Sequence, residues 1–75
     1  RSNKRLALKL IERAEAIQDS TEWRETGEEM KDLQARWRGV NPLPREESDA
    51  LWNRFHAAVQ NFFDARNRFF ADRRR

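Results

Sequence analysis

The sequence predicts an all-α fold, an up-down-up three-helix bundle with a long third helix. Two breaks, at residues 18–21 and 39–44, divide the 75 residues into three segments. Within these segments apolar residues recur at spacings of three and four, which is the helical period, and no stretch alternates long enough to form a strand. The length suits one small domain over residues 1–75. Short connections between three such segments favour a bundle.

The first two helices are short, and each carries one apolar stripe. The first is expected from about Asn3 to Ile17 and the second from about Thr21 to Arg38. Asp19 or Ser20 is expected to cap the second helix, and Asp19 with Glu22 has the spacing of a capping box. Gly39 suits a C-terminal cap. The stripe of the first helix comprises Leu6, Leu8, Leu10, Ile11, Ala14 and Ile17. The seam of the second comprises Trp23, Thr26, Met30, Leu33 and Trp37, with Gly27 beside it for close packing.

The third helix is expected to start near Pro44 and to run for about 28 residues, or roughly 42 Å. The other two helices would be nearer 25 Å. The last two turns of the third helix would therefore overshoot them and leave Phe69 and Phe70 without partners inside the domain. Trp23, Trp37 and Trp52 are expected in the core. The stripe of this helix comprises Leu51, Phe55, Ala58, Phe62 and Phe69, flanked by Trp52, Val59, Phe63 and Phe70.

The composition argues against catalysis. There is no cysteine, which excludes disulfides, thiolate zinc sites and cysteine nucleophiles, and the single histidine, His56, fits a packing or surface role. Neither glycine belongs to a phosphate-binding loop, and a bundle this small has little volume for a substrate pocket. We expect no enzyme activity, cofactor, metal or small-molecule substrate. No apolar run approaches the roughly 18 residues of a membrane span, so we expect no membrane partner.

Three sequence features occur in an order typical of a known family. They are Trp23 followed by Leu33-Gln34-x-x-Trp37-Arg38, then Gly39-x-x-Pro42-x-Pro44-Arg45, then Leu51-Trp52-x-Arg54-Phe55 with Phe62-Phe63. The chain resembles, over nearly its whole length, the bacterial helical-repeat domain catalogued as domain of unknown function number three-four-nine. That family often occurs as tandem copies in cytoplasmic proteins, and its biochemical role is not established. The resemblance implies this fold, a cytoplasmic location, and one unit excised from a longer repeat protein.

Two surfaces are candidates for protein association. At the end of the third helix, Arg66 projects between Phe62 and Phe69, either as a snorkelling stem whose head pairs with a carboxylate or as a contact for an anionic partner. In a tandem protein, Phe69 and Phe70 would pack against a neighbouring copy. The second surface is a carboxylate stripe on the second helix. It is either a solvated, ion-paired face or a docking face for a basic partner, and comprises Glu22, Glu25, Glu29 and Asp32.

A basic and amide-rich set of residues on the first and third helices is the alternative surface. Such groups donate hydrogen bonds to phosphates and bases, although a net charge of +3 is small for a nucleic-acid binder. On the third helix this face is expected opposite the core. The candidate residues for RNA or DNA binding are Lys4, Arg5, Lys9, Arg54, Asn61, Arg68, Arg74 and Arg75.

The leading interpretation is a non-enzymatic helical interaction module for protein–protein or repeat–repeat association. RNA or DNA binding through the basic faces is the alternative, and a spacer in an array of like domains is the third hypothesis. The salt dependence of binding distinguishes protein association from nucleic-acid binding, because phosphate contacts weaken steeply as salt rises. Apolar packing is largely insensitive to salt.

Overall fold

The computed structural model describes residues 3–40 and 43–73, and every regular element in these ranges is helical. The all-α prediction is therefore confirmed. The second helix is shorter than expected by two residues at its start and one at its end. The elements are α1 (Asn3–Ile17), α2 (Trp23–Trp37), a 3₁₀ turn (Arg38–Val40) and α3 (Arg45–Arg73).

Polar contacts along one edge show that α1 and α3 run parallel. Arg54 Nη2 donates to Glu15 Oε1 over 2.9 Å, and Asn61 Nδ2 donates to Gln18 Oε1 over 3.0 Å. The contact positions advance together along both helices. The part of α3 that follows Asn61 therefore extends beyond the end of α1.

Aromatic contacts show that α2 runs against α3. Trp37, at the end of α2, stacks on Phe55 with ring centroids 4.5 Å apart. Trp23, at the start of α2, contacts Phe62 further along α3 at 5.6 Å. The order along α2 is thus reversed along α3, which confirms the up-down-up arrangement.

One buried apolar cluster forms the core of the bundle. α3 supplies its two largest side chains, Phe55 and Phe62, which are fully buried. α1 supplies the small Ala7 and Ala14, which leave room for large rings on the facing helix. The prediction that Leu6 belongs to the buried stripe of α1 is wrong, because its side chain is 38% exposed. The buried stripe of α1 is Ala7, Leu10, Ile11, Ala14 and Ile17.

The start of α2 is tied down by a serine rather than by a capping box. No side-chain hydrogen bond caps the helix at Glu22, so the box expected between Asp19 and Glu22 is wrong. Instead, Ser20 Oγ accepts from the Glu22 backbone N–H at 3.0 Å and shares a 2.8 Å hydrogen bond with the Thr26 hydroxyl. These contacts fix the turn between α1 and α2.

The connection from α2 to α3 also differs from the expected cap. Arg38 keeps right-handed helical angles of φ −60° and ψ −27°, and Gly39 continues into the 3₁₀ turn without a left-handed conformation. A 3₁₀ turn satisfies end carbonyls by tightening the last turn, so no left-handed glycine is needed. Pro44 lies directly before α3, where its carbonyl accepts from the Ser48 N–H at 2.8 Å.

Replacing Gly27 with alanine should stabilise the domain. A Cβ at this buried position would lie 3.8 Å from Phe62 and 3.9 Å from Arg66 Nε, which are ordinary contact distances. Alanine has the better helix propensity, so we expect Gly27→Ala to raise the free energy of unfolding by about 0.5–1 kcal/mol. At this chain length each kcal/mol corresponds to roughly 4–8 °C in Tm.

Thermal unfolding followed by circular dichroism measures this change. Ala35→Gly, at an exposed position of the same helix, is the matched control and should lower Tm by a similar amount. A lower Tm for Gly27→Ala would mean that α2 and α3 leave no room for a methyl group.

Candidate protein-association site at the end of α3

An aromatic cluster joins the start of α2 to the last turns of α3. The Trp23 ring lies between Phe62 and Phe69, with centroid distances of 5.6 and 5.1 Å. The expectation that Phe69 has no partner inside the domain is therefore wrong. Trp23 reaches it because the indole is large and belongs to the first turn of α2, level with the end of α3.

Among the described residues, Phe70, unlike Phe69, forms no ring contact with another helix, as expected for a residue on the part of α3 that extends beyond the other helices. Its ring contacts belong to α3 alone: the Phe69 ring, edge-on at 5.3 Å, and the Arg66 guanidinium, 5.3 Å from the ring centroid. The side chain is 44% exposed, the largest exposed fraction among the large apolar residues of the described ranges. α3 thus carries a solvent-accessible aromatic ring beyond the end of α1.

Arg66 differs from its expected role. Its side chain is half-buried, but within residues 3–40 and 43–73 no carboxylate lies within 4 Å of its guanidinium. The predicted pairing is therefore wrong. The α2 residue facing it is Gly27, which has no side chain to offer. The guanidinium packs over Phe70 instead, an arrangement that cation–π attraction favours.

These residues line a groove of about 200 Å³ between α2 and α3, here called the α2–α3 groove. Its apolar part consists of Trp23, Gly27, Phe63 and Phe70. Its charged part consists of Arg24, Glu28, Lys31 and Arg66, so three cations meet one carboxylate. The volume is below the roughly 300–1,000 Å³ of small-molecule pockets, which favours a side chain as occupant.

Arg24 and Lys31 were not singled out by the sequence pattern. Their only signal is a spacing of one heptad, which places both on one face of α2. That spacing is common on solvated helices. The two residues become notable only because α3 brings Arg66 to the same groove.

The carboxylate stripe of α2 is partly neutralised inside the domain. Glu29 accepts from Arg13 of α1 through both carboxylate oxygens, with Nη2 to Oε1 at 2.9 Å. Asp32 accepts from Arg36 Nε at 2.8 Å. Glu22 and Glu25 are exposed and form no ion pair among the described residues. The stripe therefore offers two free carboxylates, not four.

Three of the candidate residues for RNA or DNA binding form contacts between α3 and the α1 end of the chain. Arg54 binds Glu15 of α1, Asn61 binds Gln18 in the turn after α1, and Lys4 Nζ lies 3.9 Å from Glu47 Oε1. The Glu15 carboxylate raises the pKa of the Arg54 guanidinium through their hydrogen bond. The expectation that Arg54 and Asn61 lie opposite the core is wrong, because they lie on the edge of α3 next to α1.

The structure does not bring the remaining basic candidates together. Arg5 and Lys9 are exposed near the start of α1, level with the beginning of α3. Arg68 lines a cleft beside the turn between α1 and α2. About 20 helical residues, or roughly 30 Å, separate Arg68 from the level of Glu47, which the start of α1 contacts. Arg74 and Arg75 lie outside the described residues.

The opposite end of α3 carries a second aromatic group. Trp52 is 40% exposed, so its expected burial is wrong, and its ring contacts Trp37 at 6.0 Å. His56 is exposed and stacks on Trp52 at 5.2 Å, as expected for a packing or surface histidine. In the described ranges no group of three acidic or histidine residues is placed to hold a metal ion. None of their helices has the length and apolarity of a membrane span.

A family model for a Domain of Unknown Function (DUF349) matches residues 1–46. The match covers more than half of the chain. The chain belongs to the DUF349 family. Within this DUF349 chain the matched segment includes the α2 side of the groove, and the α3 side follows it. Searches of the curated proteins and of the solved structures gave no match.

Truncating Phe69 should destabilise the isolated domain more than truncating Phe70. The two rings have similar exposure, 37% and 44%, but only Phe69 forms a ring contact with another helix. We expect Phe69→Ala to cost about 0.5–1.5 kcal/mol more than Phe70→Ala, the range for one aromatic pair. Urea denaturation of both variants measures the difference, and equal losses would show that the Trp23 contact contributes nothing.

The Arg13–Glu29 pair should make stability depend on pH. The hydrogen bond from Arg13 lowers the pKa of Glu29 below its ordinary value of 4.5. A lowered carboxyl pKa stabilises the fold above the unfolded-state pKa, and this contribution is lost as pH falls through the folded-state pKa. Glu29→Gln should therefore be less stable than the parent chain at pH 7, and the difference should shrink below pH 4.5.

Urea denaturation across this pH range tests the pair, with Glu25→Gln as the control. Glu25 is exposed in the first turn of the same helix and forms no ion pair in the described ranges. Its variant loses only the weak attraction of a carboxylate to the helix N-terminus, so it should lose less stability than Glu29→Gln at pH 7. A constant difference between Glu29→Gln and the parent would contradict the prediction.

Proposed function

We propose that this chain is a non-enzymatic association domain that binds another polypeptide through the end of α3. The observation that carries the proposal is the exposed Phe70 beside Phe69, on the part of α3 that extends beyond α1, with Trp23 of α2 packed against Phe69. Aromatic and arginine side chains dominate the binding energy of protein interfaces. Phe69, Phe70, Arg66 and Arg73 supply both types within two helical turns.

A neighbouring copy of the same domain is one such polypeptide. Tandem copies are what the family resemblance implies, and an exposed ring at the end of the last helix suits contact with the next unit of an array. Stacked repeats gain stability from their interfaces, so coupling between copies would give the array greater stability than single units. A cytoplasmic setting also follows from the resemblance, and we propose it on that basis.

RNA or DNA binding has weaker support. Lys4, Arg54 and Asn61 already contact α1 or α3 partners. Exposed Arg5 and Lys9 remain as its main support, and they could contact a phosphate backbone from the solvent side of α1. Nucleic-acid binding is therefore an outcome to be measured beside association.

A chain of two copies joined by a short linker tests the proposal. In a single copy, Phe70→Ser should change the free energy of unfolding by less than about 0.5 kcal/mol, as is usual for exposed positions. In the two-copy chain the same change in both copies should cost more per copy, because it removes an interface contact. Urea denaturation of the four proteins measures this difference.

Trp52→Ser is the matched control, because Trp52 is equally exposed at the opposite end of α3. Its cost should be the same in one copy and in two. Equal costs for Phe70→Ser would reject repeat–repeat association. If the chain then also bound RNA with a steep salt dependence, the nucleic-acid alternative would replace the proposal.

A further inference from the structure

We propose that the α2–α3 groove binds an acidic amphipathic helix of another protein. One apolar side chain of that helix would contact Phe63 and Phe70, and its carboxylates would bind Arg24, Lys31 and Arg66. This inference rests on the proposed function, since it names the chemistry of one partner. Docking an amphipathic helix into a groove is a recurrent mode of protein recognition.

The shape of the groove suits a single apolar anchor. Gly27 is buried and has no side chain, and Phe62, Phe63 and Arg66 lie within 4 Å of the position of a Cβ there, so Gly27 forms the floor of the groove. Phe63 is half-buried and Phe70 is exposed, so both rings present apolar surface to an incoming group. A volume of about 200 Å³ accommodates a large side chain but not a ligand of ordinary pocket size.

The charge around the groove identifies the partner as acidic. Arg24 and Lys31 lie two helical turns apart on α2, about 10 Å along its axis. Arg66 approaches from α3, and none of the three pairs with a carboxylate among the described residues. Glu28 is the one acidic residue lining the groove. Carboxylates spaced along one helix face would match the cations, and arginine binds carboxylates with two parallel hydrogen bonds.

A second copy of this chain is a poor occupant. In a two-fold dimer each groove would meet itself, which would place Arg24, Lys31 and Arg66 against the same three cations. The apolar stripes of α1 and α2 are also unavailable, because they are buried in the core of their own domain. In a head-to-tail contact α2 would present its unpaired Glu22 and Glu25, but α2 has no exposed large apolar side chain to supply the anchor. We therefore assign the groove to a helix from a different polypeptide.

The test uses the whole chain and three synthetic peptides, each about 18 residues long so that helix formation is favourable. The first has leucines at alternating spacings of three and four, a few glutamates on the flanks of the leucine face, and alanine or glutamine elsewhere, because glutamates at every other position would repel one another and oppose the helix. The second has the same composition in an order that forms no apolar face. The third has lysine in place of each glutamate. Binding is measured by calorimetry and by amide NMR shifts.

Only the first peptide should bind saturably, with shifts at Gly27, Phe63 and Phe70. The other two should bind at least roughly tenfold more weakly, because each lacks either the apolar face or the carboxylates. Arg66→Ala and Lys31→Glu should each weaken binding of the first peptide by about tenfold or more, as expected when a charged hydrogen-bond donor is lost.

Arg68→Ala is the matched control, because it removes the same charge from the same part of α3 outside the groove. It should change the affinity by less than about twofold. Lys31 is exposed, so Lys31→Glu keeps the test valid if Arg66→Ala does not fold.

Three results would overturn the inference. One is equal binding of the acidic peptide and its reordered counterpart. Another is unchanged binding by both groove variants. The third is stronger binding of a single-stranded oligouridine at the same residues, since bases also stack on aromatic rings beside cations. If the two-copy chain shows coupling through Phe70 while no peptide binds, this inference fails and the proposed function stands. If the acidic peptide binds without such coupling, only repeat–repeat association fails.

Discussion

The burial of Phe55 and Phe62, one heptad apart on α3, is the constraint on which the arrangement of the helices depends. Both rings are fully buried, and each contacts one tryptophan of α2. α2 is therefore held against α3 by aromatic contacts near its two ends. Between them α2 supplies Met30 and Leu33 to the core. At Gly27 it has no side chain to set against α3, and the α2–α3 groove lies beside this position.

Polar side chains on the edge of α3 next to α1 form contacts within the domain. Arg54 and Asn61 lie beside α1 and bind Glu15 and Gln18. Exposed ion pairs contribute little to stability, so the apolar core holds the parallel helices together and these contacts fix their relative height. Donors engaged in this way are less available to phosphates. The edge next to α1 thus has a structural use, whereas Arg66, on the side of α3 toward α2, pairs with no carboxylate among the described residues.

The helical period predicted the elements well and the depth of burial less well. The bounds of α1 match the expected Asn3 to Ile17, because the stripe and both breaks are local signals. Leu6 and Trp52 were misplaced for a common reason. A single-helix projection locates the centre of an apolar face but not how far neighbouring helices cover its margins. The Trp23–Phe69 contact joins residues 46 positions apart in sequence, and no local pattern reports such a contact. The α2–α3 groove could likewise not be predicted from the sequence, because the cations that line it come from two helices.

The two flanks of α2 carry different charges, and each flank faces a different helix. On the flank toward α1, Glu29 meets Arg13, and opposite charges attract. On the flank toward α3, Arg24 and Lys31 line the groove with Arg66, and like charges repel. The first flank therefore contributes to closing the bundle. The second sets three cations beside one carboxylate, Glu28, so its charge is not balanced within the groove. An acidic partner that bound only the folded domain would supply the missing opposite charge, and its binding would stabilise the fold by mass action.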